Sequence, residues 1–180
     1  MDDRRISKRL SYVLRHDPGS VGVVLDAAGW VEVDALLSAL ARSGLRLSRA
    51  RLDEVVARNE KQRFAYDPSG RRIRASQGHS VRVELGLARL EPPAVLFHGT
   101  ATRLVPAILR EGLRRGSRHD VHLSADVATA RVVGARRGPA TVLEVDAAGL
   151  SASGAVFTRS ANGVWLVEQV PPAYLRVKAP

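Results

Sequence analysis

The chain has 180 residues, enough for one domain or two small ones, and its hydrophobic fraction of 45% is ordinary for a protein with a packed core. It contains no cysteine, which excludes disulfides and thiolate metal sites and favours a reducing compartment. The formal charge of +10 comes mostly from arginine, whose forked guanidinium suits phosphate, so we expect a polyanionic partner such as nucleic acid.

No apolar run in the sequence approaches the roughly 18 residues that a membrane-spanning helix needs. Residues 1–5 lead directly into an amphipathic segment, without the apolar core of a signal peptide. We therefore expect a cytoplasmic protein that has no membrane partner and acts as a monomer.

Residues 6–16 have the periodicity of an amphipathic helix. Their apolar members recur at the spacing of a buried stripe, and they are Ile6, Leu10, Val13 and Leu14. Because Pro18 keeps the residue before it out of the α region, the helix should end near Arg15 and His16. A guanidinium and an imidazole are thus predicted together at a helix C-terminus, where they serve either the helix dipole or a binding site.

The following elements predict a winged helix, a helix-turn-helix variant with a β-hairpin wing. Asp34 and Ser48 have the side chains of helix caps, and Gly44 ends the second helix. The segments are, in order, a strand at 30–33, a helix at 35–40, a helix at 49–59, and two β-strands at 62–66 and 71–74 around a turn at 67–70.

A basic face is predicted on this winged helix. Its members lie on the third helix and the hairpin, and they are Arg49, Arg51, Arg58, Arg71, Arg72 and Arg74. Such a face indicates nucleic-acid binding, although the same fold also serves as a plain interaction module.

The prolines at 92–93 indicate a boundary, so we predict two domains, residues 1–92 and 93–180. The second domain is richer in strands. Its predicted strands are 95–100, which runs into a turn, 120–124, 141–145 and 164–167, and its predicted helices are 104–111 and 126–133. The sequence therefore predicts an α+β protein whose second half holds one mixed, mainly antiparallel sheet.

Two other functional classes find little support in the sequence. His119 and His122 have a spacing that suggests a metal site, but on a strand their side chains would point to opposite faces, so no metal is predicted. No Gly-x-Gly-x-x-Gly segment opens a helix, which leaves a Rossmann domain without support.

Several short motifs occur in a fixed order along nearly the whole chain. They are Ser-Lys-Arg-Leu-Ser-Tyr-Val-Leu-Arg-His-Asp-Pro at 7–18, Lys-Gln-Arg-Phe at 61–64, Gln-Gly-His-Ser at 77–80, His-Gly-Thr at 98–100, Val-His-Leu-Ser at 121–124, Val-Gly-Ala-Arg at 133–136 and Asn-Gly-Val-Trp-Leu at 162–166. Together they resemble the NAD-dependent RNA 2′-phosphotransferase (tRNA 2′-phosphotransferase) family.

This resemblance implies a winged-helix RNA-binding lobe followed by an ADP-ribosyltransferase-like lobe that binds NAD. It also implies a tRNA-processing reaction in two steps. An internal RNA 2′-phosphate first attacks the nicotinamide ribose carbon of NAD and expels nicotinamide. The neighbouring 2″-hydroxyl then attacks phosphorus, releasing 2′-OH RNA and ADP-ribose 1″,2″-cyclic phosphate.

The resemblance further implies a phosphate grip made of Arg15, His16, Arg63 and Arg136. Arg63 is expected on the first wing strand, and Arg136 is expected to act chiefly in the second step. His16 either donates a hydrogen bond to a phosphoryl oxygen or protonates the leaving 2′-oxygen. Only the Gly-x-Arg spacing distinguishes Arg136 from its neighbour Arg137.

For NAD, consumed as a co-substrate without a metal, the resemblance implies contacts from the strand ends of the second lobe. The expected contacts are His98, Gly99, Thr100, His122 and Ser124, with Gly112 and Asn162 as weaker candidates. Histidine and hydroxyl side chains can bind ribose hydroxyls, and glycine allows close approach of the backbone. Trp165 is expected in the core.

Two other functions remain as alternatives. An enzyme with the same two lobes could ADP-ribosylate terminal phosphates of RNA or DNA and stop after the first step. A basic nucleic-acid-binding protein without catalytic activity would bind in a salt-dependent way and ignore NAD.

Overall fold

The computed structural model describes residues 2–179, except for the side chain of Arg137. Its contacts divide the chain into a first unit that ends at Gly86 and a second unit that begins at Leu87. The predicted domain limits at 92 and 93 stay a prediction, and their outer ends, Met1 and Pro180, lie outside the described residues. Among residues 2–179, no helix has both the length and the apolar character needed to cross a membrane.

The first unit contains three helices and a small antiparallel sheet. The helices are α1 (Asp3–Arg15), α2 (Val33–Arg42) and α3 (Arg49–Ala57), and the strands are β1 (Val31–Glu32), β2 (Phe64–Tyr66) and β3 (Arg72–Ala75). The sheet has the order β1-β3-β2, in which Ile73 of the central strand is opposite Val31 on one side and Tyr66 on the other. The predicted helices, short strand and hairpin are confirmed.

Helix α1 supplies one wall of the core of the first unit. Its predicted apolar stripe is confirmed, with at most 2% exposure for each of Ile6, Leu10, Val13 and Leu14. Asp2 caps the helix by accepting a hydrogen bond from the backbone N–H of Arg5 at 2.7 Å. At the other end the helix stops at Arg15, and His16 is the C-cap, as expected from the proline at position 18.

The predicted cap of α2 is wrong, whereas the predicted cap of α3 is confirmed. Glu32 occupies the N-cap of α2 without a side-chain hydrogen bond, and Asp34 lies inside the first turn. The reason is that β1 leads directly into α2, so the N–H of Val33 donates to the carbonyl of Arg71 in the hairpin, at 2.8 Å. Ser48 does cap α3, through a hydrogen bond from the backbone N–H of Arg51.

The second unit alternates short helices with short strands. The strands are β4 (Val95–Ala101), β5 (Leu113–Arg114), β6 (Val121–Leu123), β7 (Ala140–Asp146), β8 (Thr158–Arg159), β9 (Trp165–Val167), β10 (Gln169–Val170) and β11 (Leu175–Val177). The helices are α4 (Val105–Glu111), α5 (Val127–Gly134) and α6 (Ala147–Ala152). The protein is therefore a mixed α and β structure with small antiparallel sheets.

The single mixed sheet predicted for this half is wrong. Its strands form three small sheets of order β11-β7-β4, β6-β9-β8 and β10-β5, and every pairing among the described residues is antiparallel. Ser124, directly after β6, pairs with Phe97 of β4 in an isolated bridge, and the chain then turns into α5. The strand predicted at 95–100 is confirmed as β4, and it runs into a 3-10 turn at Thr102–Leu104.

The core of the second unit lies around β4, β6, β7 and β9. Leu96, Leu143 and Val145 are fully buried there, and Phe157 packs with them. Trp165 belongs to the same core with 7% exposure, as predicted, and the guanidinium of Arg159 lies 5.6 Å from the centre of its ring. This core anchors the segments that carry the candidate site residues of the second unit.

Candidate functional site

A groove of about 460 Å³, lined mostly by charged and polar residues, lies between α1 and the end of α3 in the first unit. We call it the α1–α3 groove. Both Arg15 and Arg63 line it, together with Ser7, Lys8 and Asn59. The structure thus brings two of the predicted phosphate ligands to one surface, and His16 directly follows Arg15 in the chain.

The end of α1 is held in place by residues 80–81. The backbone N–H groups of Ser80 and Val81 donate to the carbonyl of Arg15, at 2.8 and 3.2 Å. These bonds satisfy one of the carbonyls that a helix leaves open at its C-terminus. The Ser80 hydroxyl also lies 2.9 Å from Nδ1 of His16. Both candidate residues are therefore oriented by the same short segment.

Asn59 orients Arg63. The side-chain oxygen of Asn59 accepts hydrogen bonds from the backbone N–H of Arg63 at 3.2 Å and from its Nη1 at 3.3 Å. The amide nitrogen of Asn59 in turn donates to the hydroxyl of Ser7, which is buried on α1, at 3.0 Å. Arg63 lies just before β2 rather than on the wing strand, because the strand pairing begins at Phe64.

Ion pairs occupy three of the six arginines on the predicted basic face. Arg49 pairs with Asp53, Arg51 pairs with Asp3 and Glu54, and Arg72 pairs with Asp67 and Asp26. Hydrogen bonds from the Arg72 backbone, Ser69 and the Arg72 guanidinium lower the pKa of Asp67 to about 2, against the effect of burial. The hairpin is therefore less positive than its composition predicts.

In the second unit, a hydrogen bond determines which ring nitrogen of His98 carries the proton. Its Nδ1 lies 3.1 Å from the carbonyl oxygen of His122, and because a carbonyl only accepts, Nδ1 carries the hydrogen. Burial lowers the pKa of His98 below its usual 6.5, the hydrogen bond to His122 opposes this, and the charge of Arg118 lowers it further. The imidazole is neutral at pH 7, and its Nε2 is an acceptor.

His122 and Ser124 lie on the segment that faces β4. Nη1 of Arg118 is 2.6 Å from Nδ1 of His122, so that ring nitrogen accepts and Nε2 is left as a donor. Ser124 exchanges two backbone hydrogen bonds with Phe97, the residue before His98, at 2.8 and 2.9 Å. Neighbouring segments thus carry an acceptor at Nε2 of His98, a donor at Nε2 of His122 and the hydroxyl of Ser124.

Gly99 is required by the packing of α5 on β4. A Cβ atom at this position would lie 1.6 Å from the carbonyl oxygen of Ala130, and one at Gly134 would lie 2.8 Å from the N of Thr100. The missing Cβ of Gly99 therefore admits a helix backbone, and the predicted contact of Gly99 with NAD stays a prediction. Arg136 follows this crossing by two residues, in a 3-10 turn (Ala135–Arg137) that packs against β4.

The two weaker cofactor candidates have clear roles in the fold. Gly112 ends α4 with φ of +82°, and a Cβ there would lie 2.4 Å from the carbonyl oxygen of Val170. Asn162 accepts a hydrogen bond from the Ser160 hydroxyl at 2.7 Å in the turn between β8 and β9. Contacts of either residue with a cofactor stay a prediction.

His119 and His122 do not lie on the same strand. Strand β6 begins at Val121, so His119 lies outside it and strand alternation does not set its direction. Within residues 2–179, no group of three or more histidine and acidic side chains is placed to hold a metal ion.

Three residues that support the site were missed in the sequence. Ser80 stands in one of the quoted motifs, so its position offered a signal, but its bond with His16 spans 64 residues and no local pattern predicts it. Asn59 was predicted only as the end of a helix, and Arg118 stands in none of the quoted motifs. Their roles depend on contacts that only the fold creates.

Comparison with known proteins agrees with these observations. The model of the family described as "RNA 2′-phosphotransferase, Tpt1 / KptA family" matches residues 1–169. A probable RNA 2′-phosphotransferase from Agrobacterium fabrum is 56% identical over 173 residues, covering 96% of this chain and 93% of the relative. One from Streptomyces coelicolor is 54% identical, covering 98% and 96%, and one from Pseudomonas fluorescens is 51% identical, covering 94% of each. The chain belongs to the RNA 2′-phosphotransferase family.

Proposed function

We propose that the protein removes an internal 2′-phosphate from RNA, such as a tRNA, by transferring it to NAD. The products are 2′-OH RNA, nicotinamide and ADP-ribose 1″,2″-cyclic phosphate, formed through an RNA whose 2′-phosphate is ADP-ribosylated. The observation that carries this proposal is the α1–α3 groove, in which Arg15 and Arg63 of a family member line one surface and are held by hydrogen bonds.

The residues of the groove suit a phosphate monoester. A 2′-monoester is close to dianionic at neutral pH because its second pKa is about 6, whereas the surrounding diesters carry one charge each. Two forked guanidiniums, Arg15 and Arg63, favour the dianion through charge-assisted hydrogen bonds. Since Nδ1 of His16 is engaged with Ser80, Nε2 is the atom that would face the phosphate. We favour a hydrogen bond from His16 over proton transfer.

The donor set of the second unit suits a ribose. His98 offers a neutral acceptor at Nε2, and His122 and Ser124 offer donors on the neighbouring segment, which is what the hydroxyls of a sugar require. These residues would hold NAD, which supplies an electrophilic ribose carbon with a nicotinamide leaving group. Their part is to bind and orient, so that positioning provides most of the rate enhancement of the first step.

Arg136 has a separate role in the proposal. When the ribose hydroxyl attacks phosphorus, charge builds on the equatorial phosphoryl oxygens, and a prepositioned guanidinium stabilises it. Arg136 follows Gly134, whose packing against β4 fixes where the 3-10 turn begins. We therefore assign Arg136 chiefly to the second step.

The fold of each unit supports the same assignment. Three helices with the sheet β1-β3-β2 have the composition of a winged helix, which we propose as the RNA-binding part. We propose that the second unit is an ADP-ribosyltransferase-like domain that binds NAD. We also propose that the protein is monomeric and acts in the cytoplasm, where NAD and tRNA are both available.

Product analysis tests the proposal. The protein is incubated with NAD and a short RNA bearing one internal 2′-phosphate, and separately with a 5′-phosphorylated RNA. We expect 2′-OH RNA and ADP-ribose cyclic phosphate from the first RNA, in an amount limited by the NAD added. A stable ADP-ribosylated RNA as the sole product, or binding without turnover, would contradict the proposal and favour one of the two alternatives.

A further inference from the structure

Three exposed cations without an ion pair among residues 2–179 line the α1–α3 groove, namely Arg4, Lys8 and Arg58. On α1, Arg4, Lys8, Ser11 and Arg15 follow one another at helical spacing along one face. At a rise of about 1.5 Å per residue this face extends over about 17 Å of helix axis. It leads away from Arg15, one of the proposed ligands of the 2′-phosphate, towards the start of α1.

The cations at the far end of this face have no acidic partner. Arg4 and Lys8 are exposed, as is Arg58 across the groove, and none of the three forms an ion pair with any residue that the structure describes. Two acidic residues also line the groove, Asp3 and Glu60, and Asp3 is already paired with Arg51. Arg4, Lys8 and Arg58 therefore outnumber Glu60, so these residues give the groove an excess of positive charge.

The hairpin offers a contrast. Arg72 is paired with two aspartates, and Arg74 donates to the carbonyls of Ala28 and Leu85 while lying 4.4 Å from the Trp30 ring centre. Each of these contacts would have to be given up or shared if the guanidinium bound a phosphate. A concave surface with an excess of positive charge also focuses the field more strongly than a convex hairpin does.

We propose that the α1–α3 groove binds the single-stranded RNA that flanks the 2′-phosphate, with Lys8 and Arg58 contacting its backbone phosphates. This inference rests on the proposed function, because it takes the occupant of the groove to be the substrate RNA. The flanking RNA then runs along the groove and not along the hairpin.

Binding measured without NAD tests this path on the intact protein. Two RNAs serve as probes, a nine-nucleotide RNA with a central 2′-phosphate and a dinucleotide with the same 2′-phosphate. The groove variant is Lys8→Gln with Arg58→Gln. Its control with the same loss of charge is Arg42→Gln with Arg46→Gln, two exposed arginines that also lack ion pairs within residues 2–179.

We expect the groove variant to weaken binding of the long RNA about tenfold at about 0.1 M salt, and the control to weaken it less than twofold. The salt slope of the groove variant should fall by about 1.4, since each contact with a single strand contributes about 0.7. The loss for the dinucleotide should be much smaller than the loss for the long RNA.

Either of two results would overturn the inference. One is an equal loss of affinity for both RNAs, which would place Lys8 and Arg58 at the 2′-phosphate itself. The other is a larger loss in Arg71→Gln, at the exposed tip of the hairpin, than in the groove variant. Because the assay needs no turnover, failure of the proposed reaction would appear separately, as wild-type protein that binds the RNA but leaves its 2′-phosphate in place.

Discussion

In the first unit, the candidate residues Arg15, His16 and Arg63 are oriented by side-chain and helix-end hydrogen bonds that Asn59 and Ser80 provide. In the second unit, the segment 98–100 is instead fixed by the close approach of two backbones at Gly99 and Gly134. A hydrogen-bonded arginine can adjust to an incoming phosphate, whereas a strand under a helix cannot move without moving the helix. We therefore expect substitutions at the helix crossing of the second unit to lower stability, and substitutions around Arg63 in the first unit to lower activity.

The largest effect is expected at Gly99→Ala. The new Cβ would lie 1.6 Å from the Ala130 carbonyl oxygen, so α5 must separate from β4. We expect the free energy of unfolding to fall by about 3 kcal/mol or more, above the usual range for overpacking because the clash is with backbone. Urea denaturation measures this fall in the free energy of unfolding. Gly19→Ala is the control, because its Cβ would find its nearest neighbour at 3.5 Å, and a comparable loss there would contradict the account.

A smaller effect is expected at Asn59→Ala in the first unit. Without its acceptor, Arg63 loses the hydrogen bonds of its backbone N–H and of Nη1. The kcat/KM for 2′-phosphorylated RNA should therefore fall about tenfold, equivalent to about 1.4 kcal/mol. The KM for NAD should change less than twofold. Ser7→Ala is the control, because it removes the bond from Asn59 to α1 and keeps the bond to Arg63. An equal loss in both variants would show that Asn59 supports the fold rather than the arginine.

The smallest effect is expected from the titration of His98. Burial lowers its pKa, so the neutral form that binds a ribose hydroxyl persists below pH 6.5. The contribution of this histidine to stability is fully present above pH 6.5 and is lost as the pH falls through the lowered pKa. The KM for NAD should stay constant from about pH 8 to 6.5 and rise a few-fold at more acidic pH.

His98→Gln provides the comparison for that titration. Glutamine keeps an acceptor but does not titrate in this range, so its KM for NAD should be higher than that of the wild type and independent of pH. A wild-type KM that already rises between pH 8 and 6.5 would mean that the pKa of His98 is raised, contrary to the effect of burial.

The sequence predicted the first unit better than the second. The stripe from Ile6 to Leu14 and the cap at Ser48 depend on nearby residues, and both were found. The cap of α2 was missed because the backbone N–H of Val33, at the start of this helix, donates to the carbonyl of Arg71, 38 residues away. In the second unit, two- and three-residue strands carry too little pattern to specify which strands pair.

The candidate site was predictable only in part, for a similar reason. The helix end at Arg15 follows from local rules, and the resemblance supplied the other candidate ligands. Side chains that hold those ligands, such as Asn59 and Ser80, act through long-range contacts that a sequence does not display. The packing role of Gly99 was not predicted, because a close helix crossing and a ligand contact both favour glycine and the sequence does not distinguish them.

We assign Arg63 to the first step and Arg136 chiefly to the second, and a single-turnover time course tests this assignment most directly. Wild-type protein, Arg63→Ala and Arg136→Ala are each mixed with NAD and RNA carrying one labelled internal 2′-phosphate, and every RNA species is followed. We expect Arg63→Ala to slow the first step by about 10²- to 10³-fold without an intermediate, and Arg136→Ala to accumulate ADP-ribosylated RNA. Loss of both steps in Arg136→Ala, with no ADP-ribosylated RNA at any time, would contradict the account.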